Sequence, residues 1–468
     1  MTATAWKFEE ASTASDGVAR GRAARQNANR SSHRYWDATA ERASPRRILA
    51  EQDSSRVPEL VPVRYGRMLT SPLSFFRGAA AIMASDLART PVSGLSAQLC
   101  GDAHLSNFGV FAAPDRRLVF DVNDFDETLP GPFEWDIKRL ATSITVAARE
   151  RGFSEAQRRR TTRAAVRQYR QAMRQFASMR DLDVWYARLD VEDVLERWRS
   201  HVNQSQIDQF EREMSKARRK DSLRALARLC HTENGALRIT ADPPLIVPIE
   251  ELAKPFNQHD IDHELRRLMS EYRRTLEDDR RVLVGRYRYA HAARKVVGVG
   301  SVGTQAWIIL MMGHNSDDPL FLQAKEAQRS VLEPFTRRCR FAHQGRRVVE
   351  GQRLMQAASD IFLGWVRRGG DDQRDFYVRQ LWDAKRSAPV ELMEPKDLTR
   401  YGKLCGWTLA RAHARSGDRV AIAAYLGRAT VFDDAVADFA EAYADQNEHD
   451  YRTLANAARA GEIPLEAV

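Results

Sequence analysis

Cysteine is scarce in this chain. Four occur in 468 residues, Cys100, Cys230, Cys339 and Cys405, and no two are near each other. No C-x-x-C is present, which argues against a zinc site and against a disulfide framework. Long apolar runs are also missing. The most apolar stretch, Val296–Met312, is interrupted by Gly298, Gly300, Gly303, Gln305 and two hydroxyl side chains, whereas a membrane helix needs roughly 20 apolar residues in a row. The N-terminus has no apolar h-region of the kind that marks a secretory signal. These absences point to a soluble protein of a reducing compartment, the cytoplasm, with no membrane partner. No internal repeat is present.

The bulk composition is ordinary, but the charge is not. An apolar share of 43% permits a sizeable core, and the length allows several domains or one two-lobed unit. The net charge is +10, carried mainly by arginine. That favours anionic ligands: nucleotides, phosphorylated molecules or nucleic acid. A GC-rich coding sequence would leave the same bias. No helix-turn-helix, zinc finger or aromatic stacking motif singles out nucleic acid. The run Arg158-Arg159-Arg160 reads as a solvated helix face. Nothing in the sequence indicates an oligomeric state.

Texture divides the chain into four parts. Residues 1–45 are polar, with few apolar anchors, and are expected to form a mobile tail or a loosely docked extension. Residues 46–290 read as mostly helical. Residues 291–390 turn β-rich, and 391–468 are helical again. Apolar spacing predicts helices over Phe75–Arg89, Asp136–Arg149, Phe153–Met179 and Arg347–Val366, and again from Asp397. Short apolar runs predict strands over Leu95–Cys100, Val296–Leu310, Leu320–Lys325 and Phe376–Leu381. The expected fold class is therefore α+β.

Residues 101–127, GDAHLSNFGVFAAPDRRLVFDVNDFDE, carry the densest chemistry. Asp102, His104 and Asn107 precede an apolar hairpin, and Asp121, Asn123, Asp124 and Asp126 follow it. Carboxylates and an amide so arranged suit a hard cation such as Mg²⁺, which takes oxygen ligands. Asp and Asn that merely shape turns would give a similar pattern. The spacing resembles the catalytic loop and metal-binding turn of kinase-like phosphotransferases, a G-D-x-H-x-x-N loop followed by D-F-D/G.

A second motif, Gly298-Val299-Gly300-Ser301-Val302-Gly303, is a complete G-x-G-x-x-G. A dinucleotide-binding loop must open a helix. Here Thr304–Leu310 is β-branched and aromatic and favours a strand, which is the kinase arrangement. The next strand ends on Lys325, placed to reach the α/β-phosphates. Glu350 on a following helix is a candidate partner for it, with Glu326 and Glu333 as competitors. An edge-strand surface lysine is the plain alternative.

From about Arg64 onward the chain resembles the bacterial family designated domain of unknown function 2252. The resemblance lies in RYGRMLTSPLSFFRGAA, LCGDAHLSNFG, FDVNDFDETLPGPFEWDIKRLATS, KVVGVGSVGT, LFLQAKEA and YVRQLWDAK. It implies a two-lobed, protein-kinase-like fold, similar to aminoglycoside and choline phosphotransferases. One departure matters: the catalytic-like loop precedes the glycine loop, so the order would be circularly permuted. By this resemblance Asp102 is the catalytic aspartate, Asn107, Asp124 and Asp126 bind Mg²⁺, and Gly298, Gly300, Gly303 and Lys325 hold ATP. Asp136 braces the catalytic loop, as does His104, unless His104 is itself a ligand. The implied activity is phosphoryl transfer to an unidentified small-molecule hydroxyl. Nucleotidyl transfer, a non-catalytic pseudokinase or basic binding module, and a metal-dependent phosphoesterase are the alternatives.

Overall fold

The computed structural model of the protein describes residues 13–38, 41–198, 222–252, 258–370, 373–381 and 386–466. Parts of the expected N-terminal extension (1–12 and 39–40) and of the charged helices before residue 290 (199–221 and 253–257) lie outside them. The architecture is α+β. No described helix is long and apolar enough to cross a membrane.

Helices make up the larger share. Helix α1 spans Ala14–Asn27, α2 Pro72–Gly78, α3 Ala80–Leu87, α4 Phe133–Glu150 and α5 Glu155–Ala177. Later come α6, Gln344–Met355, α7, Pro395–Ser416, α8, Arg419–Leu426, and α9, Val431–Arg459. Helix α4 is buried from Phe133 to Ala148 on every face, so its neighbours surround it. Ile137, Leu140, Ile144, Tyr169, Met173, Leu409 and Phe432 belong to the largest apolar cluster. Helices α5 and α7 approach closely because α7 carries glycine at the contact: a Cβ on Gly406 would stand 2.3 Å from the Ala165 carbonyl oxygen.

Strands β1 (Ser96–Leu99) and β4 (Leu129–Pro132) pair antiparallel, as do β2 (Phe108–Ala112) and β3 (Leu118–Val122) between them. The main sheet has six antiparallel strands: β5 (Ile246–Pro248), β6 (Arg288–Lys295), β7 (Ala306–Met312), β8 (Pro319–Glu326), β9 (Gly364–Arg368) and β10 (Arg374–Gln380). Their order is β9-β10-β8-β7-β6-β5. Two apolar clusters include residues of the central strands: Ile309, Met311 and Leu322 in one, Ile308, Leu310 and Phe321 in the other. Every residue of β8 is consequently buried.

Several boundaries differ from the sequence expectations. Residues 13–38 of the N-terminal extension are docked on the helices. Thr13 and Asp16 form a capping box at α1. Arg25 Nε and Arg30 Nη1 donate to the Tyr425 and Leu426 carbonyls at 3.0 and 2.9 Å, and His33 is buried against Tyr425. Polar anchors to the carbonyls at the end of α8 replace the apolar ones the sequence lacks. The helix expected over Phe75–Arg89 breaks at Ala79, where Gly78 packs on Met68. The helix expected over Arg347–Val366 stops at Met355, and Gly364 onward is strand. The β-rich part extends beyond 291–390, since β5 and the start of β6 precede residue 291. Residues 296–305 are loop between β6 and β7 rather than strand.

The arginine run is neither solvated as a whole nor a free basic patch. Arg158 pairs with Glu441 at 3.2 Å, Arg159 with Asp438 at 2.5 Å and Arg163 with Asp434 at 2.5 Å. Deeper in, Arg170 grips Asp433 with two bonds of 2.8 Å. These residues form an ion ladder between α5 and α9, which uses up part of the positive charge seen in the composition. Given the close approach at α7, Gly406→Val should destabilise the protein by about 1–3 kcal/mol, the usual cost of overpacking. Urea unfolding of the two proteins would measure it.

Candidate functional site

The loop after β1 is pinned from behind. The backbone N–H groups of Cys100 and Gly101 donate to the Asp136 carboxylate at 2.8 and 3.0 Å. Asp136 lies in the first turn of α4 and also meets His413 Nε2 of α7 at 3.3 Å. Two core helices thereby fix the loop that carries Asp102. Asp102 Oδ1 accepts a 2.5 Å bond from Arg139 Nε, and its Oδ2 is 3.7 Å from His104 Nε2. Burial pulls the His104 pKa down to about 4, the nearby Asp102 opposing, so the ring is neutral at pH 7. Its Nδ1 is buried without a partner.

Asn107 ties this loop to the acidic turn. Its Nδ2 donates to the carbonyls of Asp102 and Asp124 at 2.9 and 3.0 Å. Its Oδ1 is buried and has no hydrogen-bond partner among the described residues. Asp121 is not a turn residue: it sits in β3, buried, in an ion pair with Arg411. Asn123 is in the turn, where its N–H donates to the Asn107 carbonyl at 2.9 Å.

The main sheet supplies the opposing cation. Lys325, buried on β8, lies 3.4 Å from Asp124 and is hydrogen-bonded to Asp126. Tyr377, directly opposite Lys325 on β10, donates its hydroxyl to Asp126 Oδ1 at 2.8 Å. Burial disfavours the Lys325 charge, but the Asp124 and Asp126 carboxylates outweigh it and hold the amine protonated, above its ordinary range.

The glycine loop closes over this cluster, with Ser301 Oγ 3.3 Å from Asp126 Oδ2. Gly298 and Gly303 have φ of +69° and +90°, which side chains rarely tolerate. The loop is held from outside: Arg67 donates to the Gly298 carbonyl and Val57 N–H to the Gly303 carbonyl, both at 2.8 Å, and Arg56 donates to Val302. A cleft of about 1170 Å³ lies between sheet and hairpin. Asp102, Asn107, Asp124, Asp126, Gly298, Gly300 and Lys325 all line it.

Two residues singled out from the sequence stand elsewhere. Glu350 does not meet Lys325; its carboxylate is 3.7 Å from Arg346, one turn back on α6. The face of α6 towards the acidic turn instead carries Arg347, which donates to the Asp126, Thr128 and Gln328 carbonyls, each at 2.8 Å. Gly303 is off the cleft wall, packed on Arg56. From the sequence, Arg77 and Arg139 could either be solvated on helix faces or meet an anionic acceptor; Arg139 is 2% exposed and ion-paired with Asp102. Tyr377 and Arg347 carried no local signal.

Among the described residues no group of three His, Cys, Asp or Glu side chains is placed to hold a metal ion. The oxygen-bearing side chains that line the cleft together here are Asn107, Asp124 and Asp126. Such a set suits a cation whose coordination is completed by phosphate oxygens and water, as is usual for Mg²⁺.

Glu127, next to the turn, also lines the cleft. Burial raises its pKa to about 7, although Val331 N–H donates to it at 2.7 Å. The unfolded chain gives up this proton near 4.5, while the folded protein keeps it to about 7. Between those values the native state binds more protons, so stability falls as pH rises. Glu127→Gln should therefore gain on wild type by about 1–3 kcal/mol from pH 4.5 to pH 8. Urea unfolding at both pH values would show it; a difference independent of pH would refute it.

A family model described as an uncharacterized protein conserved in bacteria matches residues 56–457. No curated protein and no solved structure matches the chain. The matched span takes in the loop of Asp102, the acidic turn, the glycine loop and Lys325, and on that match the chain belongs to the bacterial DUF2252 family.

Proposed function

We propose that the chain is an ATP- and Mg²⁺-dependent phosphotransferase of kinase-like, circularly permuted, two-lobed fold, acting on a hydroxyl of a small-molecule acceptor. The observation that carries this is the meeting of Lys325 with Asp124 and Asp126 beneath the glycine loop. These elements are about 200 residues apart in sequence, and nothing in the order of the chain requires them to meet. The order within the sheet supports the same reading. The glycine loop joins β6 to β7, the lysine ends the next strand, and helix α6 follows, as in protein kinases.

In this proposal Gly298 and Gly300 let backbone N–H groups approach the phosphates, and Lys325 turns from the carboxylates towards them. Asn107 Oδ1, Asp124 and Asp126 would hold Mg²⁺, which neutralises charge between the phosphates. Asp102 Oδ2 orients the acceptor hydroxyl, since Oδ1 is held by Arg139. The acceptor oxygen bonds to the γ-phosphorus while the bond from that phosphorus to the β,γ-bridging oxygen breaks. ADP leaves with the electron pair, and the hydroxyl proton passes to Asp102.

One alternative has an observation in its favour. Arg139 neutralises Asp102 and Glu350 does not pair with Lys325, which suits nucleotide binding without transfer. Two variants separate the readings. Asp124→Asn should abolish the Mg²⁺-dependent rise in melting temperature that ATP gives wild type. Asp102→Asn should keep that rise but slow ATP turnover by about 10²–10⁴-fold. Equal turnover in Asp102→Asn and wild type would remove Asp102 from the chemistry.

A further inference from the structure

The cleft, about 1170 Å³, is larger than a nucleotide's phosphates require, and Arg77 lines it together with Asp102. Arg77, in the last turn of α2, lines the cleft. Its Nε is buried and has no hydrogen-bond partner among the described residues. The charges acting on it are those of Asp102 first and Glu391 second. Asp102 is already ion-paired with Arg139 at 2.5 Å, and His104 beside it is neutral at pH 7. Asp102 is thus compensated by Arg139, and Arg77 brings a further cation to this wall, opposed by Glu391 and with its Nε unpartnered among the described residues.

A buried guanidinium donor without a partner is unfavourable unless a ligand fills it. Its planar fork matches the oxygens of carboxylate or phosphate. The nucleotide's phosphates already have Lys325 and the glycine loop. Arg77 faces instead the carboxylate assigned to the acceptor, at the point where α2 meets the glycine loop: a Cβ on Gly300 would be 3.2 Å from the Arg77 carbonyl oxygen.

We propose that the acceptor is anionic, carrying a phosphate or carboxylate near its reacting hydroxyl, and that Arg77 binds that group. This rests on the phosphotransferase reading and narrows its substrate class.

The test uses wild type, Arg77→Gln and Arg77→Lys, each saturated with Mg²⁺ and the non-hydrolysable analogue AMP-PNP. Inorganic phosphate and acetate are then titrated as separate probes, followed by calorimetry. Wild type should bind one or both, and the probe that binds gives the class of anion. Arg77→Gln should weaken this binding at least about tenfold, and Arg77→Lys should restore part of it. The affinity for AMP-PNP should be the same in all three. Equal anion binding in wild type and Arg77→Gln, or none in wild type, overturns the proposal. Loss of AMP-PNP affinity in Arg77→Gln also overturns it, by assigning Arg77 to the γ-phosphate. If wild type does not bind AMP-PNP, the phosphotransferase reading fails. Titrating the anions without nucleotide then still decides whether Arg77 forms an anion subsite.

Discussion

The contact on which the site depends is that between the Lys325 ammonium and the carboxylates of Asp124 and Asp126. Lys325 is enclosed on a fully buried strand, where an isolated charge would be costly. The acidic turn is attached to a hairpin far away in sequence. Joining them compensates the charge and ties the main sheet to the helical part of the chain. Removing the carboxylates would leave the buried ammonium uncompensated, which is destabilising. The same geometry places a cation and two carboxylates on the wall of one cleft. Structural need and the proposed chemistry thus fall on the same three residues.

The surroundings hold this contact in register. Tyr377 and Ser301 occupy oxygens of Asp126, and Arg347 satisfies the carbonyls around the turn. Asn107 spans from the turn to the loop of Asp102, and Asp136 fastens that loop to α4. Apart from the Asn107–Asp102 bond, which lies within one loop, each link joins separate segments of the chain. The outer segment 56–67 grips the glycine loop through three donors, so the loop over the cleft is braced rather than hung between two strands alone.

Local chemistry was legible in the sequence, and long-range pairing was not. The loop of Asp102, the acidic turn and the glycine loop are short motifs that residue type and spacing alone single out. The structure gathers Asp102, Asn107, Asp124, Asp126 and Lys325 at one cleft. Arg139, Arg347 and Tyr377 are ordinary residues on ordinary elements, and only tertiary contact gives them a role. Glu350 was chosen because it lies on the helix after Lys325, but the turn of α6 directs it to Arg346 instead. The N-terminal segment stayed open between mobile and docked for a related reason. Its anchors are arginines reaching carbonyls, and hydrophobic patterning does not register them.

The most direct measurement is calorimetric titration of the wild-type protein with ATP, with and without Mg²⁺. The account predicts one site per chain that is markedly tighter with the metal, because the acidic turn needs it to face phosphate. No heat of binding at millimolar ATP, or an affinity indifferent to Mg²⁺, would contradict it.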